Sequence, residues 1–234
     1  MSSVVVDERP LPLRARIQQV FTAFVAEHGF RGTALGDVAE RLGISKGTIL
    51  HHFKSKEALL ARVGEDYIDR RERELRQILR RVQDPRERLI AFILSITLCH
   101  RDDLDATRVF GREFARYADS PHLNRVRERR RGYTHTVEEV IVAAMDAGVL
   151  CRDEPSVVAL QIFGMCNWTW AWYQPEGPLT IEQIADRYVR TLLRGLGTAE
   201  AIAAEESVAR SAWLRALVAE SAALAWQGQA VREG

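Results

Sequence analysis

Apolar residues recur along almost the whole chain at spacings of three and four, and few stretches alternate with a period of two. Such spacing lines one face of an α-helix, whereas a half-buried strand alternates. With only 15 glycines and 7 prolines in 234 residues, little interrupts the pattern. The expected fold is all-α. Ile17, Val20, Phe21, Phe24, Val25 and His28 form a first stripe. Gly29 should end that helix, because glycine best adopts the left-handed C-terminal conformation. Leu35, Val38, Ala39 and Leu42 mark a short second helix stopped by Gly43. Ser45 is suited to cap a third, running to about His51. Ser55 opens a long fourth helix with Leu59, Val63, Tyr67, Leu75, Ile78 and Val82 on its buried side, and Asp84-Pro85 closes it.

Beyond Pro85 no strand pattern intervenes. Leu89, Phe92, Ile93 and Ile96 line one helix, and Leu104 to Tyr117 read as another. Pro121 suits an early position in a helix that runs to Gly148, basic in its first half (RVRERRRGY) and apolar in its second. The segment from Pro155 to Tyr173 is apolar on nearly every side. It is therefore expected to be buried all round, at a subunit interface or in a pocket wall. Thr180-Ile181-Glu182-Gln183 has the form of a capping box, in which side chain and backbone satisfy each other's free groups. The helix that it starts ends at Gly195–Gly197. Residues 200–228, with Ile202, Val208, Trp213, Leu217 and Leu224, read as an accessory helix or two.

Composition narrows the function. Hydrophobic residues at 47% and charged residues at 28% are globular values, and the 33 basic and 32 acidic residues leave a formal net charge of +1. No apolar run approaches the ~18 residues that span a bilayer, and MSSVVVDERP lacks a signal-peptide core, so a cytoplasmic protein is expected. Cys99, Cys151 and Cys166 are widely spaced and form no C-x-x-C pair, which argues against a disulfide framework or a zinc site. No cofactor or metal is expected. There is no G-x-S-x-G elbow, P-loop or dinucleotide fingerprint. Cys99 and His100 are adjacent on a helix and are expected to point apart, so the chain is read as non-catalytic. Only three basic residues are lysine, namely Lys46, Lys54 and Lys56, and all three fall within eleven positions.

Those lysines belong to LGDVAERLGISKGTILHHFKSK, a short helix, a tight turn at Gly43 and a second short helix. This is a helix-turn-helix arrangement, whose second helix enters the DNA major groove. Ala39 is small enough for close helix approach, while Ile44 and Ile49 anchor the second helix from below. That leaves Ser45, Lys46, Thr48, His51 and His52 toward DNA, with cations for phosphates and donors for base edges. A helical hairpin with a solvated basic face is the alternative reading.

The run GF at 29–30, Thr33 and DVAERLGISKGTILHHFKSKEALL from 37 to 60 resembles the N-terminal signature of the TetR family of transcription regulators. The resemblance implies an all-helical homodimer: residues 1–54 would form the DNA-binding domain, 55–198 a ligand-binding and dimerisation bundle, and 199–234 an accessory segment. It assigns Lys46, Gly47, Thr48, His51, His52 and Lys56 to DNA, with Lys56 on a phosphate. Three positions depart from the family pattern. Ala34 stands where a capping Ser or Thr is usual, Gly36 where a basic residue often sits, and Leu50 where tyrosine is preferred.

NWTWAWYQPEGPLTIEQIADRYVRTLLRGL (167–196) is similar to a branch of TetR regulators that respond to acyl-CoA thioesters in fatty-acid and sterol catabolism. The implied partners are palindromic operator DNA, a second copy of the chain and a small hydrophobic effector. Candidates for the effector site are Phe110, Arg112, Phe114, Met145, Phe163, Trp168 and Trp172, with Arg108, Arg116 and Arg127 as further cations for phosphates. Aromatics at helical spacing are also ordinary core or interface, and arginine runs are also solvated faces. The expected mechanism is a repressor released when ligand displaces the fourth helix. The other reading is a helical binding protein of the same fold that no longer uses its helix-turn-helix.

Overall fold

The computed structural model describes residues 11–116, 120–199 and 212–233. Tyr117, Ile202 and Val208, together with the Arg116 side chain, lie outside what it describes. The described residues form ten α-helices: α1 Leu13–Gly32, α2 Leu35–Leu42, α3 Lys46–Phe53, α4 Lys56–Arg81, α5 Pro85–Asp102, α6 Leu104–Arg116, α7 Asn124–Asp146, α8 Pro155–Asn167, α9 Ile181–Leu196 and α10 Ala212–Glu233. Short 3₁₀ turns occupy Pro121–Leu123 and Trp168–Ala171. The β pairing among these residues is one antiparallel bridge, Leu150 to Gly197, which ties the α7–α8 loop to the end of α9. No helix of the described residues is long and apolar enough to cross a membrane.

Local chemistry sets the helix ends. The regular α1 breaks at Gly29, whose φ of 78° turns the chain so that Phe30 enters the core. Gly43 takes φ 66°, ψ 33°, and its N–H donates back to Ala39 and Glu40. Ser45, Ser55 and Asp84 each accept a backbone N–H from the first turn of α3, α4 and α5. Ala34 caps α2 without a side-chain bond, as its missing hydroxyl requires. Thr180 and Gln183 form the reciprocal capping box at α9.

The core has two parts that share α4. One gathers Ile17, Phe21, Val25, Val38, Ile49 and Phe53 against Leu59, Leu60 and Val63 of α4, with Val109 and Phe114 of α6. The other begins on α4 at Ile68 and continues through Leu75 and Ile78 into α5, α7, α8, α9 and α10. At 26 residues, α4 is about 39 Å long, enough to run through both. Tyr67 stacks on Phe110 at 4.4 Å, and Phe110 stacks on Phe114 at 4.8 Å, bridging the two parts.

Within the single chain, burial divides unevenly among the apolar helices. The helix buried on all sides is α5, where every residue from Leu89 to His100 is buried. Helix α8 instead buries Val158, Ala159, Ile162 and Cys166 while leaving Val157 and Leu160 exposed, and Trp168 and Trp172 just beyond it are exposed as well. An apolar composition signals burial somewhere, but a single chain does not supply cover for that face. Helix α10 packs Leu214, Leu217 and Val218 into the larger core and reaches α4 through Arg81 to Glu220 at 2.8 Å and Arg73 to the Ala225 carbonyl at 3.2 Å.

A Cβ on Gly64 would lie 2.0 Å from Phe114 Cζ, so only glycine lets α4 and α6 approach there. Gly64→Ala should lower stability by about 1–3 kcal/mol through forced repacking, despite alanine's ~1 kcal/mol helix-propensity advantage. Urea unfolding measures it; an unchanged midpoint would mean that the ring relocates freely.

Candidate DNA interface and effector cavity

Ile49 and Phe53 bury one side of α3 and fix which side is left outward. Ser45, Lys46, Gly47 and His51 are exposed, and Thr48 and His52 are half-buried beside them. The α3 residues expected at DNA therefore lie together at its N-terminal and outer surface. Leu50 joins them at 36% exposure, an apolar group on a polar face. The Thr48 hydroxyl is held 2.9 Å from Ser45 Oγ, which also accepts the Thr48 N–H at 3.0 Å. A base edge would have to compete with that bond. Lys54, exposed with φ 67°, forms the joint between α3 and α4.

Lys56 is half-buried at the start of α4 and packs on the N-terminal core. Its ammonium lies 4.4 Å from the centre of the Phe30 ring. Burial there pulls it below the usual lysine range, against the opposing pull of Glu57 and Glu113. The ring face attracts the cation because the π cloud is electron-rich.

A cavity of about 500 Å³ opens between α4, α5, α6, α7 and α8. Its wall includes Tyr67, Ile96, Phe110, Tyr133, Leu160 and Phe163, and its polar groups include Arg71, Arg130, Arg131, His135 and Asn167. Arg71 is buried, whereas Arg130, Arg131 and His135 are exposed. Burial pushes the Tyr133 phenol well up, so it stays neutral.

Of the seven expected effector residues, Phe110 and Phe163 line this cavity. The others are used elsewhere. Arg112 bonds the Val25 carbonyl and Glu113, whose carboxylate accepts the Phe30 N–H at 3.2 Å, so this pair fastens α6 to the end of α1. Phe114 fills the space over Gly64. Met145 is buried in the larger core. Trp168 and Trp172 face outward at 62% and 47% exposure. Arg127 bonds Asn124 and the Ser120 carbonyl. Arg108 is half-buried on α6 and does not line the cavity.

The expectation that Cys99 and His100 point apart is also corrected. Cys99 Sγ lies 3.7 Å from His100 Nδ1, because both side chains turn back along α5, with His100 Nδ1 3.0 Å from the Thr97 carbonyl. Both are buried.

Residues 23–63 match the family described as bacterial regulatory proteins, tetR family, and residues 82–196 match the tetracyclin repressor-like C-terminal domain. A TetR/AcrR-family transcriptional regulator from Thermobifida fusca is 31% identical, with 78% of this chain and 97% of that one covered and a TM-score of 0.61. The chain belongs to the TetR family. It is thus a DNA-binding transcription regulator. The HTH-type transcriptional repressor KstR2 of Mycolicibacterium smegmatis is 25% identical over 189 residues, which are 80% of this chain and 92% of that protein. AibR, solved in complex with isovaleryl coenzyme A and operator DNA, is 27% identical with a TM-score of 0.68, covering 76% of this chain and 98% of that one.

The TetR-family cavity draws on residues that the apolar pattern passed over. Tyr67, Leu75 and Ile78 mark the buried stripe of α4, and Arg71 fills the turn between Tyr67 and Leu75. That gap was the available signal: a charge between Tyr67 and Leu75 on the buried side of α4, which also takes in Asp66, Arg70 and Glu74. Tyr133 sits inside the basic run of α7, where its neighbours hide it.

Lys46 is exposed on the outward side of α3 and carries no other role in the fold. Lys46→Ala should weaken binding to operator and to unrelated DNA alike and reduce the slope of log affinity against log salt by about 1. An unchanged slope in a fluorescence-anisotropy salt series would remove Lys46 from the phosphate contacts.

Proposed function

We propose that this regulator is a homodimeric repressor that leaves a palindromic operator when an acyl-CoA thioester enters the cavity beside α4. The observation that carries the reading is the position of α4. It follows α3 across Lys54–Ser55, and its Tyr67, Ile68 and Arg71 line the cavity. A ligand that displaces these side chains acts on the helix that carries α3. The ligand must bind the DNA-incompetent arrangement more tightly, since equal affinity for both would shift nothing.

The chemistry of the cavity supports the thioester. An apolar interior suits an acyl chain, and about 500 Å³ lies within the range of small-molecule sites. Arg130 and Arg131 at the exposed side offer forked donors for phosphates. The relative AibR was crystallised with such a ligand. On this reading residues 1–54 are the DNA-binding domain, with Ser45, Lys46, Gly47, Thr48, His51 and His52 at DNA and Lys56, at the start of α4, beside them. Residues 55–198 are the effector and dimerisation domain, and 199–234 are an accessory segment whose α10 packs on α4. The protein acts in the cytoplasm and performs no catalysis. Val157, Trp168 and Trp172 supply the dimer face, because exposed apolar groups of this size gain most from mutual burial.

Fluorescence anisotropy on DNA from upstream of the gene tests the reading. Hexanoyl-CoA and isovaleryl-CoA should release the protein, and the matching free acids should not. Retention of DNA at saturating thioester would overturn the effector assignment. Light scattering tests the dimer: Val157→Asp combined with Trp168→Ala should shift the protein to its 26.5 kDa monomer, and an undisturbed dimer would place the interface elsewhere.

A further inference from the structure

Arg71 is 4% exposed and lines the cavity from α4. Its Nη1 pairs with Glu74 Oε2 at 3.3 Å, yet neither Nε nor Nη1 has a hydrogen-bond acceptor. The nearest ring, Tyr67, offers a π face 5.5 Å from the guanidinium carbon and no bond to those hydrogens. Buried donors are almost always satisfied, and a charged one left open is costlier than a neutral one. Arg71 lines the cavity beside Tyr67, Ile96, Phe110, Tyr133 and Phe163, with Nε and Nη1 just beneath the wall, so a ligand meets them by a shift of the side chain. The exposed arginines, Arg130 and Arg131, are a separate cationic zone at the solvent side.

We infer that Arg71 holds an oxygen acceptor carried on the inner part of the effector's acyl group, so that the effectors are oxygenated acyl thioesters rather than plain alkyl ones. The inference rests on the acyl-CoA reading above. A ketone or a terminal carboxylate would serve, each offering lone pairs to the open N–H groups. The Glu74 carboxyl is pushed up by burial, against the opposing pull of Arg71. The thioester carbonyl belongs nearer the exposed arginines, because the coenzyme must remain outside a cavity of this size.

Calorimetric titration of the full-length protein with hexanoyl-CoA, 5-oxohexanoyl-CoA and adipyl-CoA tests this directly. At least one oxygenated thioester should bind about tenfold or more tighter than hexanoyl-CoA, the difference expected of a hydrogen bond to a charged donor. Which one wins distinguishes ketone from carboxylate. Arg71→Met alone strands Glu74 in the core, so the matching variant is Arg71→Met with Glu74→Leu, checked for a cooperative melt. It should lose the preference, binding the three thioesters with affinities within about twofold of one another. Equal affinity of the wild type for all three thioesters, or a preference that survives in the double variant, would overturn the role of Arg71 and leave the acyl-CoA reading intact. If none of the three binds, both readings fall. The wild-type series needs no variant to fold, so equal affinities there overturn the inference without the double variant.

Discussion

Where α4 passes from one core to the other it carries Gly64, and the Phe114 ring occupies the space that a Cβ there would fill. That approach brings α6 onto α4 and continues the stack of Phe114, Phe110 and Tyr67 along it. The three N-terminal helices are too small a unit to bury a core alone, and they borrow Leu59, Leu60 and Val63 from the same helix. A shift of α4 therefore cannot be confined to either end. The cavity opens beside Tyr67 and Phe110, at the junction itself.

Charged groups along α4 make the junction specific. Gln18 of α1 donates to Asp66 at 2.5 Å, and Arg62 pairs with the same carboxylate at 2.7 Å. Arg70 bonds Asp103 at 2.6 Å in the α5–α6 turn, with Trp226 of α10 stacked 4.3 Å from its guanidinium. Desolvation offsets much of the attraction in such buried pairs, so they do little for net stability. They do penalise every register in which a partner is lost. Arg71 is the member whose donors the fold leaves open, and it is the one that faces the cavity.

The helix-turn-helix was readable because its determinants are local. Gly43 must take a positive φ, Ser45 must cap, and Ile49 must point inward, each set by neighbours a few residues away. The effector residues were largely not readable. Aromatics at helical spacing look the same whether they pack a core, as Phe114 does, face solvent, as Trp168 does, or line a cavity, as Phe163 does. Arginines are no easier: Arg112 seemed a ligand contact and instead fastens α6 to α1.

Sequence alone determined the all-α class, most helix ends, the outward face of α3 and the family. These follow from periodicity, capping chemistry and a contiguous motif, all of which act over a few residues. Tertiary structure alone decided that α5 rather than α8 is the fully enclosed helix, that Lys56 turns onto Phe30, and that Arg71 meets a cavity with two donors unfilled. Each of these depends on what lies opposite a side chain. That is set by packing between segments tens of residues apart, which no local pattern encodes.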